Sequence, residues 1–349
     1  MCSAVPDPTI PGRWVPGVSG MTDSSADAAA SPPLRPAPLV QEFAGVSFQS
    51  RALSMSVRRT IRPFIEAWAV TPSLPWPAPL VDRAAVTVRP VHGTRRHRVR
   101  LAECAAEFLY TPDAGEHQAI LYLHGGAFVC CGLATHRNLV SRISASTRAP
   151  VLAVDYRMLP RHPIRRAVED GISGLRWLMS HGYPIERIVV AGDSAGGFLT
   201  FAVAHEALRL GLGRVAGTVA LSPLTDLDPL PKMEHPNSYR CALFPRRAVP
   251  ALLTLVRRAE RRGGDGYEPV SSPVDLDLAG MPPALIQTGS EEMVYTDAVT
   301  MGERLEAAGV PAQVQVWEKQ IHVFQAAAGA VPEGGRAISE IGRFVRSLA

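Results

Sequence analysis

The chain has 349 residues, enough for one large α/β unit or two domains with a sizeable buried core. Hydrophobic residues make up 46% and charged residues 19%, which excludes a chain held disordered by its composition. A formal charge of +4 over this length is too weak to imply a polyanion, so no nucleic-acid partner is expected.

Residues 1–39 carry eight prolines among Ser, Ala and Asp and read as a disordered tail, with Met21 as a second candidate start codon. Pro6, Pro8 and Pro11 stand where a signal peptide would need its apolar run, and no stretch reaches about 18 uninterrupted apolar residues. Neither secretion nor a membrane span is expected. From Val40 to Ala69 apolar residues recur at helical spacing, until Pro72, Pro75, Pro77 and Pro79 interrupt it. Residues 40–80 thus read as one or two helices and a linker.

Beyond residue 81, short β-branched runs alternate with longer helical stretches, the pattern of a mostly parallel sheet covered on both faces. The strand candidates are Ala119–Leu123, Val151–Val154, Ile188–Ala191, Val215–Leu221, Ala284–Thr288 and Val314–Trp317. The alternation breaks at about 228–270, where Pro, Arg and Gly surround a helix-like Arg246–Arg258, and this reads as an insertion over the sheet. Arg95-Arg96-His97-Arg98 with Arg100 reads as a solvated strand or loop. Cys2, Cys104, Cys130, Cys131 and Cys241 form an odd, sparse set without C-x-x-C spacing, which fits reduced thiols in a cytoplasmic protein better than a disulfide framework or a zinc site.

Chemistry concentrates at Gly192-Asp193-Ser194-Ala195-Gly196, which follows the strand Ile188–Ala191 and opens the helical run Phe198–Leu210. Strand, tight turn and helix around G-x-S-x-G form a nucleophile elbow, which would project the Ser194 hydroxyl above the sheet. Upstream, Leu121-Tyr122-Leu123 runs into His124-Gly125-Gly126-Ala127-Phe128, a turn of small residues whose N–H groups are unobstructed. Such a turn, with the Ala195 N–H, suits the oxyanion of a tetrahedral intermediate. A serine nucleophile then needs a base and an orienting acid. Downstream of Ser194, His205 falls in the following helix and His235 in the insertion, which leaves His322, just past Val314–Trp317, as the base. For the acid, Glu291, Glu292 and Asp297 all follow the strand Ala284–Thr288, with Glu292 preferred.

These motifs stand in order with Asp155-Tyr156-Arg157, Pro160, His162-Pro163, Ser222-Pro223, Asp226 and Ile321-His322-Val323-Phe324. Over about residues 80–349 the chain resembles the hormone-sensitive-lipase-like branch of the α/β-hydrolase esterases. The resemblance implies an eight-stranded, mostly parallel sheet, and a cap built from the 40–80 helices and the 228–270 insertion. It also implies Ser194 as nucleophile, His322 as base and, three residues after Gly289, Glu292 as acid. Gly126, Ala127 and Ala195 are the implied oxyanion donors, with Gly125 allowing the turn, and Ala127 stands where many relatives carry a third glycine. No metal, nucleotide or dinucleotide motif is present and no cofactor is implied.

The expected activity is hydrolysis of short- to medium-chain carboxylic esters. Amidase, lactonase or acyltransferase chemistry uses the same triad, and a non-catalytic receptor uses the same fold without a working base. Expected partners are a small-molecule acyl ester and, in a homodimer, a second copy of the chain.

Overall fold

A computed structural model describes residues 38–262 and 268–348. The tail expected at 1–39 lies outside them except for Pro38 and Leu39. The strands are β1 (Val40–Phe43), β2 (Arg95–Arg100), β3 (Ala105–Tyr110), β4 (Ala119–Leu123), β5 (Val151–Asp155), β6 (Ile188–Asp193), β7 (Gly217–Leu221), β8 (Ala284–Gly289) and β9 (Ala312–Trp317). The helices are α1 (Phe48–Thr60), α2 (Arg62–Val70), α3 (Ala78–Ala84), α4 (Leu133–Thr147), α5 (Ile164–Ser180), α6 (Ala195–Arg209), α7 (Leu230–Glu234), α8 (Asn237–Arg240), α9 (Ala248–Glu260), α10 (Tyr295–Ala307) and α11 (Pro332–Ser347).

The strands form one nine-stranded sheet in the order β1-β9-β8-β7-β6-β4-β5-β3-β2. Every neighbouring pair from β1 to β5 is parallel, whereas β3 runs antiparallel to both β5 and β2. The central strands β4, β6, β7 and β8 are buried along their whole length, which is why they read as apolar runs in the sequence. Alternate residues feed two cores. Leu121, Leu123, Val190 and Ile286 face α5, α6 and α10, while Ile120, Tyr122, Val189 and Leu285 face α4 and α11.

The sheet has one strand more than expected. Residues 40–43 were expected to begin a helix, yet they add a parallel edge strand, Val40 opposite Val314 and Phe43 opposite Trp317. Phe43 stacks on Trp317 at 4.1 Å, a non-local contact that overrides the local spacing. The expected linker also holds a helix, because prolines at the first turn of α3 need no N–H partner there. Asp82 of α3 accepts from the Thr135 N–H at 2.8 Å and its hydroxyl at 3.0 Å, supplying the start of α4 with the cap that Gly132 lacks a side chain to give. The basic run forms the edge strand β2, where charge blunts an open edge. The helix expected at Arg246–Arg258 is α9, and α2 packs against it.

A close approach joins β6 and α6 to β4. A side chain on Gly196 would run into the Leu123 carbonyl oxygen and lie 2.7 Å from that of His124. Gly196→Ala is expected to cost about 1–3 kcal/mol through this overpacking. Urea unfolding measures it, and an unchanged midpoint would contradict the close approach.

Candidate active site

Ser194 sits between the end of β6 and the first residue of α6, with φ 53° and ψ −116°. This left-handed backbone is uncommon for a side chain with a Cβ and persists only where surrounding contacts impose it. Here the Ser194 N–H donates to the Leu221 carbonyl at 2.8 Å, and the Ser194 carbonyl accepts from Leu224 at 3.1 Å and Gly197 at 2.9 Å.

The turn after β4 is held from below. Asp193, buried beside Ser194, accepts from the Gly125 N–H at 3.1 Å and the Tyr122 hydroxyl at 2.7 Å. Gly125 therefore spends its N–H inside the scaffold, and a Cβ there would run into the Asp193 carboxylate. Gly126, Ala127 and Phe128 all have positive φ, 112°, 54° and 57°. Among the described residues, the N–H groups of Gly126, Ala127 and Ala195 have no hydrogen-bond acceptor, so three donors are open. Tyr156 completes the support by donating to the His124 carbonyl at 2.6 Å and stacking on its ring at 4.3 Å.

His136 of α4 places Nε2 3.2 Å from Asp193 Oδ2. Burial works against its imidazolium, but the Asp193 charge and hydrogen bond prevail and hold His136 up at about 9. Asp193 is correspondingly held below the usual carboxylate range, against the effect of its own burial. His124 is pushed the other way, to about 4, by burial and by the neighbouring His136 charge. The elbow thus rests on a buried ion pair with a neutral imidazole beside it.

The loops after β7, β8 and β9 converge at the same end of the sheet. His322 Nδ1 lies 2.6 Å from Glu292 Oε2. The other carboxylate oxygen, Oε1, accepts from the Gly289 N–H at 2.5 Å and the Ser222 hydroxyl at 2.8 Å. That hydroxyl also accepts from the Val323 N–H at 3.0 Å, so Ser222 ties Glu292 to the residue after His322. Of the alternatives, Asp297 is committed elsewhere: it accepts from the N–H groups of Thr225 at 2.8 Å and Asp226 at 3.0 Å, and lies 3.0 Å from the buried Lys232 ammonium. Glu291, one residue before Glu292, is half-buried.

Two contributors had no role in the sequence reading. Ser222 appeared there only as part of a motif, and its bridge follows from three loops meeting. Phe244, from the 228–270 segment, meets the His322 ring edge-on at 4.7 Å. It packs with Cys241, Val249, Leu253 and Met293. No spacing in the sequence links Phe244 to a histidine 78 positions on. Among the described residues, no helix is long and apolar enough to cross a membrane.

Comparison with known proteins identifies the family. The family described as alpha/beta hydrolase fold matches residues 120–326. The carboxylesterase/phospholipase LipF of Mycobacterium tuberculosis is 39% identical over 316 residues, 89% of this chain and 84% of that one. Esterase LipU of the same organism is 40% identical over 292 residues, 82% and 98% of the two chains. A crystal structure of an esterase from the bacterial hormone-sensitive lipase family superposes with a TM-score of 0.75 at 31% identity, covering 87% of this chain and 99% of that one. The esterase EstE5, soaked with p-nitrophenyl butyrate, gives 0.76 at 31% over the same shares. This chain belongs to the α/β-hydrolase-fold family, as an ester-hydrolysing serine hydrolase of its hormone-sensitive-lipase-like branch.

The His136–Asp193 pair has a pH signature. The folded value of about 9 lies above the unfolded value of 6.5, so its contribution is full below pH 6.5 and is lost as pH rises through 9. That gap corresponds to about 3 kcal/mol at most. Urea unfolding of wild type and His136→Gln should show the wild-type advantage shrinking from pH 6.5 to above 9, whereas an advantage constant across that window would contradict the ion pair.

Proposed function

We propose that this chain is a carboxylesterase acting on short- to medium-chain esters through Ser194, His322 and Glu292. The Ser194 oxygen attacks the ester carbonyl while His322 Nε2 takes its proton. Glu292, on Nδ1, fixes the imidazole tautomer and stabilises the imidazolium. His322 then protonates the departing alcohol, and the acyl group stays on Ser194 until a water, deprotonated by the same imidazole, releases it. The N–H groups of Gly126, Ala127 and Ala195 receive the oxyanion in both tetrahedral species, and each donor is worth about 3 kcal/mol there.

The observation that carries this reading is the 2.6 Å contact between Glu292 and His322 Nδ1, because an imidazole held on that nitrogen keeps Nε2 for the nucleophile's proton. The strained turn at Ser194 and the three open N–H groups are consistent with it. The chain-length preference is read from Phe244, whose ring closes over His322 from the segment that we take, with α1 and α2, as a cap. We take that cap to enclose one acyl chain.

With p-nitrophenyl esters from acetate to palmitate, kcat/KM should peak at about four to eight carbons and fall beyond them. Ser194→Ala should lose about 10⁴-fold or more in kcat without a change in unfolding midpoint, and Glu292→Gln about 10³- to 10⁴-fold. Glu291→Gln should stay within about threefold of wild type. Turnover surviving in Ser194→Ala, or a loss in Glu291→Gln equal to that in Glu292→Gln, would contradict the assignment.

A further inference from the structure

Behind the oxyanion turn the chain passes through Val129 into Cys130 and Cys131 before α4 begins. Consecutive side chains on extended backbone point apart, but here the left-handed Cys131 (φ 72°) turns the two together, and their Sγ atoms lie 3.7 Å apart. Both are half-buried, whereas Cys104 and Cys241 are buried. Burial pushes the Cys104 thiol up to about 12 and raises Cys241 as well. Cys130 goes the other way, lowered by the hydrogen bond from Cys131, whose own thiol is raised in return. One sulfur of the pair is therefore the better nucleophile and the other stands in reach to resolve it.

The pair is wired to the turn. Cys130 Sγ donates to the Gly126 carbonyl at 3.5 Å, and the same oxygen accepts from the N–H groups of Val129 at 2.9 Å and Cys130 at 3.0 Å. The Gly126 carbonyl and the Ala127 N–H are the two ends of one planar peptide unit. Whatever holds that carbonyl aims that N–H. There is no slack, because a Cβ on Gly126 would run into the Cys130 carbonyl and lie 3.0 Å from Cys131 Cβ.

We propose that Cys130 and Cys131 form a modification site at which a hydroperoxide closes a disulfide between the two neighbours and turns hydrolysis down by shifting Cys130, whose N–H and thiol both hold the Gly126 carbonyl, and so re-aiming the Ala127 N–H. The turning-down rests on the reading of Ala127 as an oxyanion donor. The Cys130 thiolate attacks one peroxide oxygen, the O–O bond breaks, and the departing alkoxide takes up a proton as alcohol. Cys131 sulfur then displaces the hydroxyl of the resulting sulfenic acid, which leaves with the Cys131 proton as water. Two thiols lose two electrons and one hydroperoxide is reduced. The S–H donor to Gly126 is lost, and Cys130 Sγ is drawn from that carbonyl toward Cys131.

The test treats the full-length protein with tert-butyl hydroperoxide, then maps its peptides by mass and measures kcat and KM on p-nitrophenyl butyrate before and after dithiothreitol. The peptide holding Cys130 and Cys131 should lose about 2 Da without a matching change in the Cys2 peptide. kcat should fall about tenfold or more, with KM within about twofold, and dithiothreitol should reverse both changes. Cys131→Ser keeps the Cys130 contact to Gly126 and should never show the 2 Da loss. A pair that stays reduced or goes only to sulfinic acid overturns the site, and a disulfide that forms with kcat unchanged overturns its control of the turn. Absence of turnover in the untreated protein would count against the hydrolase reading instead, and the peptide mass would still decide whether the disulfide forms.

Discussion

The site depends on one constraint, the contact between the nucleophile elbow and the end of β4. Gly196 lies against the Leu123 carbonyl with no room for a Cβ, and Asp193, one residue before the serine, reaches across to the Gly125 N–H and the Tyr122 hydroxyl. The segment that carries Ser194 and the turn that carries the Gly126 and Ala127 N–H groups are thereby held against each other. A carboxylate buried this deeply persists because it is compensated, here by His136 and by neutral donors from two other elements. Displacement of Asp193 would shift this turn, and its free N–H groups, relative to Ser194.

Glu292 and His322 are fixed by a different device. Parallel strands deliver the loops after β7, β8 and β9 to one edge, the end of such sheets where ligands bind. Each loop gives one group: Ser222, Glu292 and His322. Ser222 and Val323 both take left-handed backbone, at φ 46° and 52°, as do Ser194, Ala127 and Phe128. Such strain in these loops is tolerated where the neighbours over-determine the conformation, and here hydrogen bonds from adjoining loops do so. The Glu292 carboxylate illustrates it, with one oxygen on the imidazole and the other shared by the Gly289 N–H and Ser222.

Much of this was legible in the sequence, and the parts that were not share a cause. The central strands and the elbow read correctly because burial on both faces and the G-x-S-x-G turn leave local signatures. β1 was missed because Val40–Phe43 becomes a strand only by pairing with residues some 270 positions away. α3 was missed because its prolines read as breakers, whereas at a helix start they are harmless. Asp297 stayed open as an acid because linear spacing cannot show that Lys232, from the 228–270 segment, occupies it. Asp155-Tyr156-Arg157 entered only as a motif. In the structure Tyr156 braces the His124 carbonyl, and the Arg157 guanidinium meets Asp170 of α5 at 2.9 Å, so this motif is structural support for the turn.

The most direct test of the account is covalent. Incubation of the folded chain with an alkyl fluorophosphonate, followed by peptide mass mapping, asks which oxygen in the molecule is activated for attack on an electrophilic centre. The account predicts a single stoichiometric adduct on the peptide bearing Ser194, formed far more slowly in Glu292→Gln. An adduct on another residue, or none on a folded wild-type chain, would contradict it.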